Sequence, residues 1–98
     1  MTYLIHFDQK FHHAQHYIGF VDGGEDRLQS RLEYHKKGRG SRLLRAVAAN
    51  GIPFNVVRTW PDGDRKFERS LKNKKNASRL CPICNPKLNE KEQAKKEV

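Results

Sequence analysis

The chain has 98 residues, a length that fits one domain with a small hydrophobic core. Hydrophobic residues make up 36% of it and charged residues 32%, which gives a highly charged surface without the composition of a disordered chain. No apolar run is long enough to cross a membrane, and the first ten residues lack the layout of a signal peptide. We therefore expect an intracellular, cytoplasmic protein that has no membrane partner.

The net charge of +9 and the pI near 9.9 point to a polyanionic partner. Residues 1–85 hold sixteen basic and eight acidic groups, whereas residues 86–98 hold four and three. Most of the basic groups fall in 36–45 and 58–79. A solvated basic face would give the same net charge, but clustering in two stretches favours nucleic acid. We predict a folded domain over 1–85 and a charged tail over 86–98.

Two strands open the predicted domain. Thr2–Phe7 is aromatic and aliphatic, and strand alternation places Tyr3 and His6 on opposite faces. A polar connection follows, and His16–Val21 returns as a second strand, so the pair is expected to be an antiparallel hairpin. Gly19 lies inside the second strand, where a glycine weakens the strand and marks the close approach of another group.

Capping and turn signals delimit the remaining elements. They are a helix from about Asp26 to Lys37, a helix over Ser41–Asn50, a strand over Ile52–Trp60 and a helix over about Asp64–Lys75. Gly38 ends the first helix, and Ser41 is the expected N-cap of the second. The order β-β-α-α-β-α predicts an α+β fold in which helices pack on a three-stranded, mainly antiparallel sheet.

One stripe of the first predicted helix is unusually polar. Leu28, Arg31, Leu32 and His35 recur at the spacing of a core-facing helix surface, yet an arginine and a histidine occupy half of it. On the third predicted helix, Glu68 likewise lies on or beside the apolar face. Ionisable groups on the buried side of two helices indicate a site.

Three features taken together resemble the GIY-YIG nuclease superfamily. They are the strand motif Tyr17–Gly19, the helix motif Leu28–His35 (LQSRLEYH) and Glu68 on a later helix. The resemblance covers roughly Tyr3 to Asn76, and the predicted element order agrees with the compact core of that family. Leu4-Ile5-His6 stands where the family has Gly-Ile-Tyr, so a histidine takes the place of the first tyrosine.

The resemblance implies a divalent-metal-dependent endonuclease that hydrolyses phosphodiester bonds in DNA. It implies that Tyr17 positions or deprotonates the attacking water and that Arg31 binds the scissile phosphate. It also implies that Glu68 holds the metal ion, and His35 matches the family's histidine one turn beyond the arginine. A single carboxylate that leaves positions open for water and phosphate suits Mg²⁺ or Mn²⁺.

Two further assignments complete the predicted site. We expect His6 and Tyr17 to act as a pair at the attacking water, with His35 near the phosphate or the leaving group, because an unperturbed imidazole titrates near neutral pH. The family's asparagine after the glutamate has three candidates. They are Asn73, Asn76 and Asn85. Asn76 is favoured because it lies just past the predicted helix end, where its side chain could turn back towards the site.

Basic residues beside these motifs are the predicted DNA contacts. They are Lys36, Lys37, Arg39, Arg42, Arg45, Lys72 and Lys75. Phosphate contacts position a nucleic acid without reading its sequence, so RNA stays open as a substrate. A chain this small offers little surface for a long recognition sequence, so specificity could require a dimer or another partner.

Each site residue also has an ordinary structural explanation. Tyr17 could simply pack in the core, Arg31 could lie along the surface with its charge in water, and Glu68 could pair with Lys72 one turn away. The leading alternative function is therefore a non-catalytic nucleic-acid-binding module on the same fold.

The cysteines form a separate motif, Cys81-Pro82-Ile83-Cys84. A CxxC pair supplies two of the four ligands of a structural zinc site, and nearby histidines could supply the others. His12, His13 and His16 are the candidates, and the spacing does not choose between them. The alternative is a pair of reduced thiols in a turn, and a small zinc-stabilised interaction protein is the corresponding third function.

Overall fold

A computed structural model describes residues 1–87 of the chain. They form three strands and four helices: β1 (Thr2–Phe11), β2 (Ala14–Phe20), α1 (Glu25–Lys36), α2 (Arg42–Ala49), β3 (Phe54–Trp60), α3 (Arg65–Lys74) and α4 (Ala77–Leu80). The predicted α+β class and the order of the first six elements are confirmed, and α4 is an addition. The predicted tail over 86–98 lies almost wholly outside the described residues. No helix within 1–87 is long and apolar enough to cross a bilayer.

The sheet has β1 at its centre, in the order β2-β1-β3, and both strand pairs are antiparallel. In the β1–β2 register, Tyr3 lies opposite Gly19 and Ile5 lies opposite Tyr17. Directly opposed residues of an antiparallel pair share a face. Tyr3, Gly19 and Tyr17 therefore lie on one face of the sheet.

The first hairpin is longer than predicted. β1 continues to Phe11 instead of ending at Phe7, and β2 begins at Ala14, so His12-His13 form a tight turn. His12 takes the left-handed conformation (φ 55°) that such a turn requires. The strand persists because Phe11 pairs with Ala14 and packs against the core, although the intervening polar residues are exposed.

Helices cover both faces of the sheet. On the Tyr3 face, a buried cluster joins β1 and β3 to α1 and α2: Tyr3, Ile5, Phe7, Leu28, Leu44, Val47 and Phe54. On the other face, a smaller buried cluster joins the sheet to α3 and to the residue after α4: Leu4, Ile18, Leu71 and Cys81. Each large apolar side chain in these clusters contributes about 1.5–3 kcal/mol by leaving water. Alternate residues of β1 thus serve two separate cores.

Local signals fix the helix ends that frame the site. The Ser41 hydroxyl accepts a hydrogen bond from the Leu44 amide at 3.4 Å, as expected of an N-cap. A carboxylate oxygen of Asp64 accepts one from the Phe67 amide at 2.8 Å and starts α3. Gly38 has a φ of 80° and follows Lys37, the C-cap of α1, which confirms the predicted stop.

Candidate functional site

A buried hydrogen bond joins the central strand to the first helix. The Tyr3 hydroxyl lies 3.1 Å from Nε2 of His35, and both side chains are almost wholly buried. Nδ1 of His35 lies 3.3 Å from the carbonyl oxygen of Arg39. Because a carbonyl can only accept, Nδ1 carries the proton, and Nε2 of the neutral ring accepts from Tyr3. The pair therefore has one defined hydrogen-bond direction, from phenol to imidazole.

Gly19 is required by the position of Tyr3. It lies directly opposite Tyr3 in the strand register, and a Cβ atom at this position would overlap the ring and hydroxyl of Tyr3. Only a residue without a side chain leaves room for the phenol to reach His35. The close approach expected from a glycine inside the strand is confirmed, and the approaching group is Tyr3.

Tyr17 completes an aromatic cluster with this pair. Its ring centroid is 6.3 Å from that of Tyr3 and 5.7 Å from that of His35, the latter in an edge-to-face arrangement. Such contacts contribute about 0.5–1.5 kcal/mol each beyond the burial of area. Tyr17 keeps some exposure, whereas Tyr3 and His35 do not. Tyr17 is thus the member of the cluster that meets solvent.

Charges from two helices act on the two phenols. Burial, the neighbouring Tyr17 and the Glu68 carboxylate together raise the pKa of Tyr3 to about 12, while the Arg31 guanidinium opposes the rise. Burial also raises the pKa of Tyr17, as does the Glu68 carboxylate, while Arg31 and the Ser41 hydroxyl oppose the rise. Both phenols are therefore protonated at neutral pH. The same effects show that Arg31 and Glu68 lie near both tyrosines.

The electrostatics of His35 agree with its hydrogen bonds. Burial lowers the pKa of this imidazole below 6.5, and the nearby Arg31 charge lowers it too, while the hydrogen bond to the Arg39 carbonyl opposes the change. The ring is neutral at pH 7, which is the state that accepts from Tyr3. His35 is 1% exposed and both of its ring nitrogens have partners, so a bound molecule does not reach it. The expected position of His35 near the phosphate or the leaving group is therefore corrected.

Glu68 and Lys72 form the predicted pair one helical turn apart. Their charged atoms are 3.9 Å apart, at the outer limit of an ion pair, and Nζ of Lys72 also lies 5.6 Å from the Tyr17 ring centroid. A surface pair one helical turn apart contributes only about 0.3–0.5 kcal/mol. A cleft of about 250 Å³ includes Tyr17, Lys72 and Lys75 in its lining. The ion pair therefore adds little to stability.

His6 does not join this cluster. Its opposite residue across the strands is His16, and the two rings are 5.2 Å apart on the face of the sheet that Tyr17 does not occupy. The expected pairing of His6 with Tyr17 is therefore corrected, since neighbouring positions along a strand point to opposite faces. The β1 side chain that lies beside Tyr17 is Tyr3. Strand alternation contains this information. In a hairpin that pairs His6 with His16, the odd-numbered residues of both strands share one face, so Tyr3 and Tyr17 lie on the same face.

The face that carries His6 holds a second cluster of ionisable groups. His6, His16, Cys81 and Cys84 each place one donor atom within 4.8 Å of the others, and the group could hold a metal ion. Both cysteines are free of disulfide bonds. Of the histidines considered from the sequence, His16 is in this cluster, whereas His12 and His13 are exposed in the hairpin turn.

The three candidate asparagines have different surroundings. Asn76 lies just before α4, and its side-chain oxygen is buried without a hydrogen-bond partner among the described residues. From Glu68 to the last residue of α3 is roughly 9 Å along the helix axis, and Asn76 lies beyond that end. Asn85 donates to the Arg79 carbonyl at 2.9 Å, and Asn73 is exposed on α3. A supporting role for Asn76 stays a prediction.

The predicted DNA contacts lie on the surface in two groups. The first group follows Arg31 and His35 along the chain, and the second lies on and after α3 near Glu68. All seven side chains are exposed: Lys36, Lys37, Arg39, Arg42, Arg45, Lys72 and Lys75. Only one of them makes a side-chain hydrogen bond within the described residues, from Lys36 to Asn55 at 3.3 Å. The basic groups are thus available to an anion.

The structure brings together five side chains that are far apart in the sequence. They are Tyr3 from β1, Tyr17 from β2, Arg31 and His35 from α1, and Glu68 from α3. Four of these five were predicted, and Tyr3 was missed. Comparison with known proteins adds no further assignment, because no protein-family model, curated protein or solved structure matches the chain.

Proposed function

We propose that this protein is a divalent-metal-dependent endonuclease that hydrolyses phosphodiester bonds in DNA, in the manner of the GIY-YIG nucleases it resembles. The observation that carries the proposal is the convergence of Tyr3, Tyr17, Arg31, His35 and Glu68 at a basic surface. Arginine, phenol and carboxylate are the groups that phosphodiester hydrolysis uses to bind phosphate, position water and hold a metal ion.

Glu68 is the proposed metal ligand. Within residues 1–87 it belongs to no cluster of three or more His, Cys, Asp or Glu side chains, so it would bind an ion as a single carboxylate. Mg²⁺ and Mn²⁺ fit this donor set, because Mg²⁺ is commonly held by one or two carboxylates together with water and substrate phosphate. The bound ion would supply charge stabilisation at the phosphate and a more acidic water.

Arg31 and Tyr17 are the proposed contacts to the reacting groups. The exposed guanidinium of Arg31 offers two parallel donors that match the oxygens of a phosphate. The raised pKa of Tyr17 keeps its hydroxyl protonated, so it can orient an attacking water through a hydrogen bond at neutral pH. Tyr3 and His35 hold the Tyr17 ring from its buried side, since both are buried and both contact its ring.

The test is a nicking assay on supercoiled plasmid with Mg²⁺ or Mn²⁺. We expect metal-dependent nicking by the wild-type chain and a loss of about 100-fold or more in the Glu68→Gln variant. Glu33→Gln is the matched control, because it removes the same charge from an exposed position on α1. Equal nicking by the two variants, or nicking that survives a chelator, would contradict the role of Glu68. A parallel RNA substrate distinguishes a ribonuclease from a deoxyribonuclease.

One observation favours the alternative of a non-catalytic binding module. Lys72 lies beside both Glu68 and the Tyr17 ring, where its ammonium group competes with a metal ion for the Glu68 carboxylate. In that case the chain binds DNA through its basic surface, and no divalent metal produces nicking. Binding measured by fluorescence anisotropy, together with an inactive wild-type protein in the nicking assay, would establish this alternative.

A further inference from the structure

The second cluster joins three distant parts of the chain. His6 comes from β1, His16 from β2, and Cys81 and Cys84 from the turn that follows α4. Nδ1 of His6 is 3.3 Å from Nε2 of His16, 3.5 Å from Sγ of Cys81 and 3.7 Å from Sγ of Cys84. Nε2 of His16 is 3.4 Å from Sγ of Cys84. Four soft or borderline donor atoms therefore point at one small volume.

These separations match the edges of a zinc coordination tetrahedron. With Zn–N near 2.0–2.1 Å and Zn–S near 2.3 Å, a tetrahedral ion holds two nitrogens about 3.3 Å apart and a nitrogen and a sulfur about 3.6 Å apart. The nitrogen pair here is 3.3 Å apart, and three of the four nitrogen–sulfur pairs are 3.4 to 3.7 Å apart. All the donor atoms lie within 4.8 Å of one another, which fits a single ion.

Hydrogen bonds among the four groups do not account for the arrangement. A neutral imidazole has one N–H, so Nδ1 of His6 can donate to at most one of its three neighbours. Thiols are weak donors and weak acceptors, and buried nitrogens are normally satisfied by stronger partners. Convergence of three neighbours on one ring nitrogen is instead the pattern of ligands that surround a cation.

We propose that His6, His16, Cys81 and Cys84 bind one Zn²⁺ as a closed structural site. Two thiolates and two imidazoles are a common zinc donor set, and the cluster contains no carboxylate of the kind that Mg²⁺ or Ca²⁺ prefers. Four protein ligands fill the tetrahedron and leave no position for water or substrate. The proposal does not rest on the nuclease function, because its ligands lie on the other face of the sheet.

The ion would attach the segment after α3 to the sheet. α4 has only four residues, and its contacts to the sheet include the hydrogen bond from Arg58 to the Leu80 carbonyl at 3.1 Å. Cys81 is fully buried against Leu4 and Ile18. The cysteines lie more than 60 residues after the histidines. An ion bound by all four side chains would therefore close a long loop, which restricts the unfolded chain and stabilises the folded one.

The first test measures metal in the full-length protein. We expect one zinc per chain by elemental analysis, together with two reduced thiols. After removal of zinc, cobalt should restore the site with the absorption of tetrahedral thiolate ligation. Such thiolate bands cannot arise from cobalt at Glu68, so a failure of this proposal is distinguishable from a failure of the nuclease proposal. A Cys81–Cys84 disulfide, or a chain that binds neither zinc nor cobalt through thiolate, would overturn the site.

The second test compares variants by competition with a chromophoric chelator. Cys84→Ser and His16→Gln should weaken zinc binding by more than about 100-fold, since changes in the groups that merely support metal ligands already cost about 10–100-fold. Cys84 is exposed and His16 partly so, hence these variants disturb the core less than a change at Cys81. His12→Gln and His13→Gln are the matched controls and should bind as the wild type does. Equal affinity in all four variants would refute the assignment.

Discussion

The Tyr3 hydroxyl donates a hydrogen bond to Nε2 of His35, 32 residues away, across a distance of 3.1 Å. The bond ties the central strand to α1 directly beneath Tyr17, whose ring contacts both partners. His35 is in turn held by the Arg39 carbonyl just after α1. A chain of two hydrogen bonds thus fixes the floor of the proposed active site.

Removing the Tyr3 hydroxyl should damage both stability and activity. In the Tyr3→Phe variant, Nε2 of His35 is left buried without a donor, which costs about 1–3 kcal/mol of folding free energy. We also expect slower plasmid nicking, because Tyr17 loses part of its support. Urea denaturation and the nicking rate measure the two effects. Tyr34→Phe is the control, since Tyr34 is an exposed tyrosine next to His35, and an equal effect of both changes would contradict the prediction.

A single methyl group at Gly19 should displace Tyr3. Gly19→Ala places a Cβ atom where the ring and hydroxyl of Tyr3 now lie, and overpacking of this kind typically costs about 1–3 kcal/mol. Gly24→Ala is the matched control, because a Cβ atom there meets nothing within 4 Å. Thermal unfolding and the chemical shifts of Tyr3 report the difference. Unchanged stability of Gly19→Ala would show that the strands can shift to make room.

The lowered pKa of His35 predicts a loss of stability in acid. The unfolded chain takes up this proton near pH 6.5, whereas the folded chain resists it because the ring is buried. The unfolded state therefore binds more protons as the pH falls below 6.5, and folding becomes less favourable. Histidine titration by NMR should give a His35 pKa below 6.5. Between about pH 7.5 and about pH 5.5, the free energy of unfolding should fall more steeply for wild type than for His35→Gln.

Arg31 should matter more than a neighbouring arginine on the same helix. We expect Arg31→Ala to lower the nicking rate by about 100- to 1,000-fold, and Arg31→Lys to fall in between, because lysine keeps the charge but loses the planar pair of donors. Arg27→Ala, one turn earlier and also exposed, should be close to wild type. Single-turnover rates at saturating DNA separate this effect from weaker binding. Similar losses at both positions would indicate a general role in charge attraction.

DNA affinity should fall steeply as the salt concentration rises, and the steepness should reflect the number of phosphate contacts. Each lysine or arginine that neutralises a phosphate contributes about 0.9 to the slope of log affinity against log salt. The double variant Arg42→Ala with Arg45→Ala should therefore lower the slope by about 2. Lys10→Ala, on the exposed part of β1, should leave it unchanged. If the double variant had the same salt slope as the wild type, α2 would be excluded from the DNA interface.

The fold was largely readable from the sequence because its local signals agree with its packing. Ser41 and Gly38 mark helix ends by capping chemistry that depends only on nearby residues. α4 escaped prediction because a four-residue helix shows no apolar period. The extension of β1 to Phe11 was not predicted because its residues are mostly polar. Polar side chains can continue a strand once a hairpin turn has aligned the hydrogen bonds between the two strands.

The two clusters were harder to predict than the elements, since each depends on pairing between strands. The resemblance to the GIY-YIG nucleases identified Tyr17, Arg31, His35 and Glu68, which lie together. It also directed His6 to the same site, whereas the observed register sends His6 to His16. Register decides which face a side chain occupies, and a sequence pattern on one strand does not specify it.

The position of Tyr3 and His6 on one strand has a consequence for length changes in β1. Two residues separate Tyr3 from His6, so their side chains point to opposite faces of the sheet. Tyr3 supports the aromatic cluster, and His6 faces the cysteines. Inserting or deleting one residue between them would turn one of the two to the wrong face, whichever end of the strand kept its register. A two-residue insertion preserves both orientations. Odd and even indels in this short segment should therefore have sharply different effects on the protein.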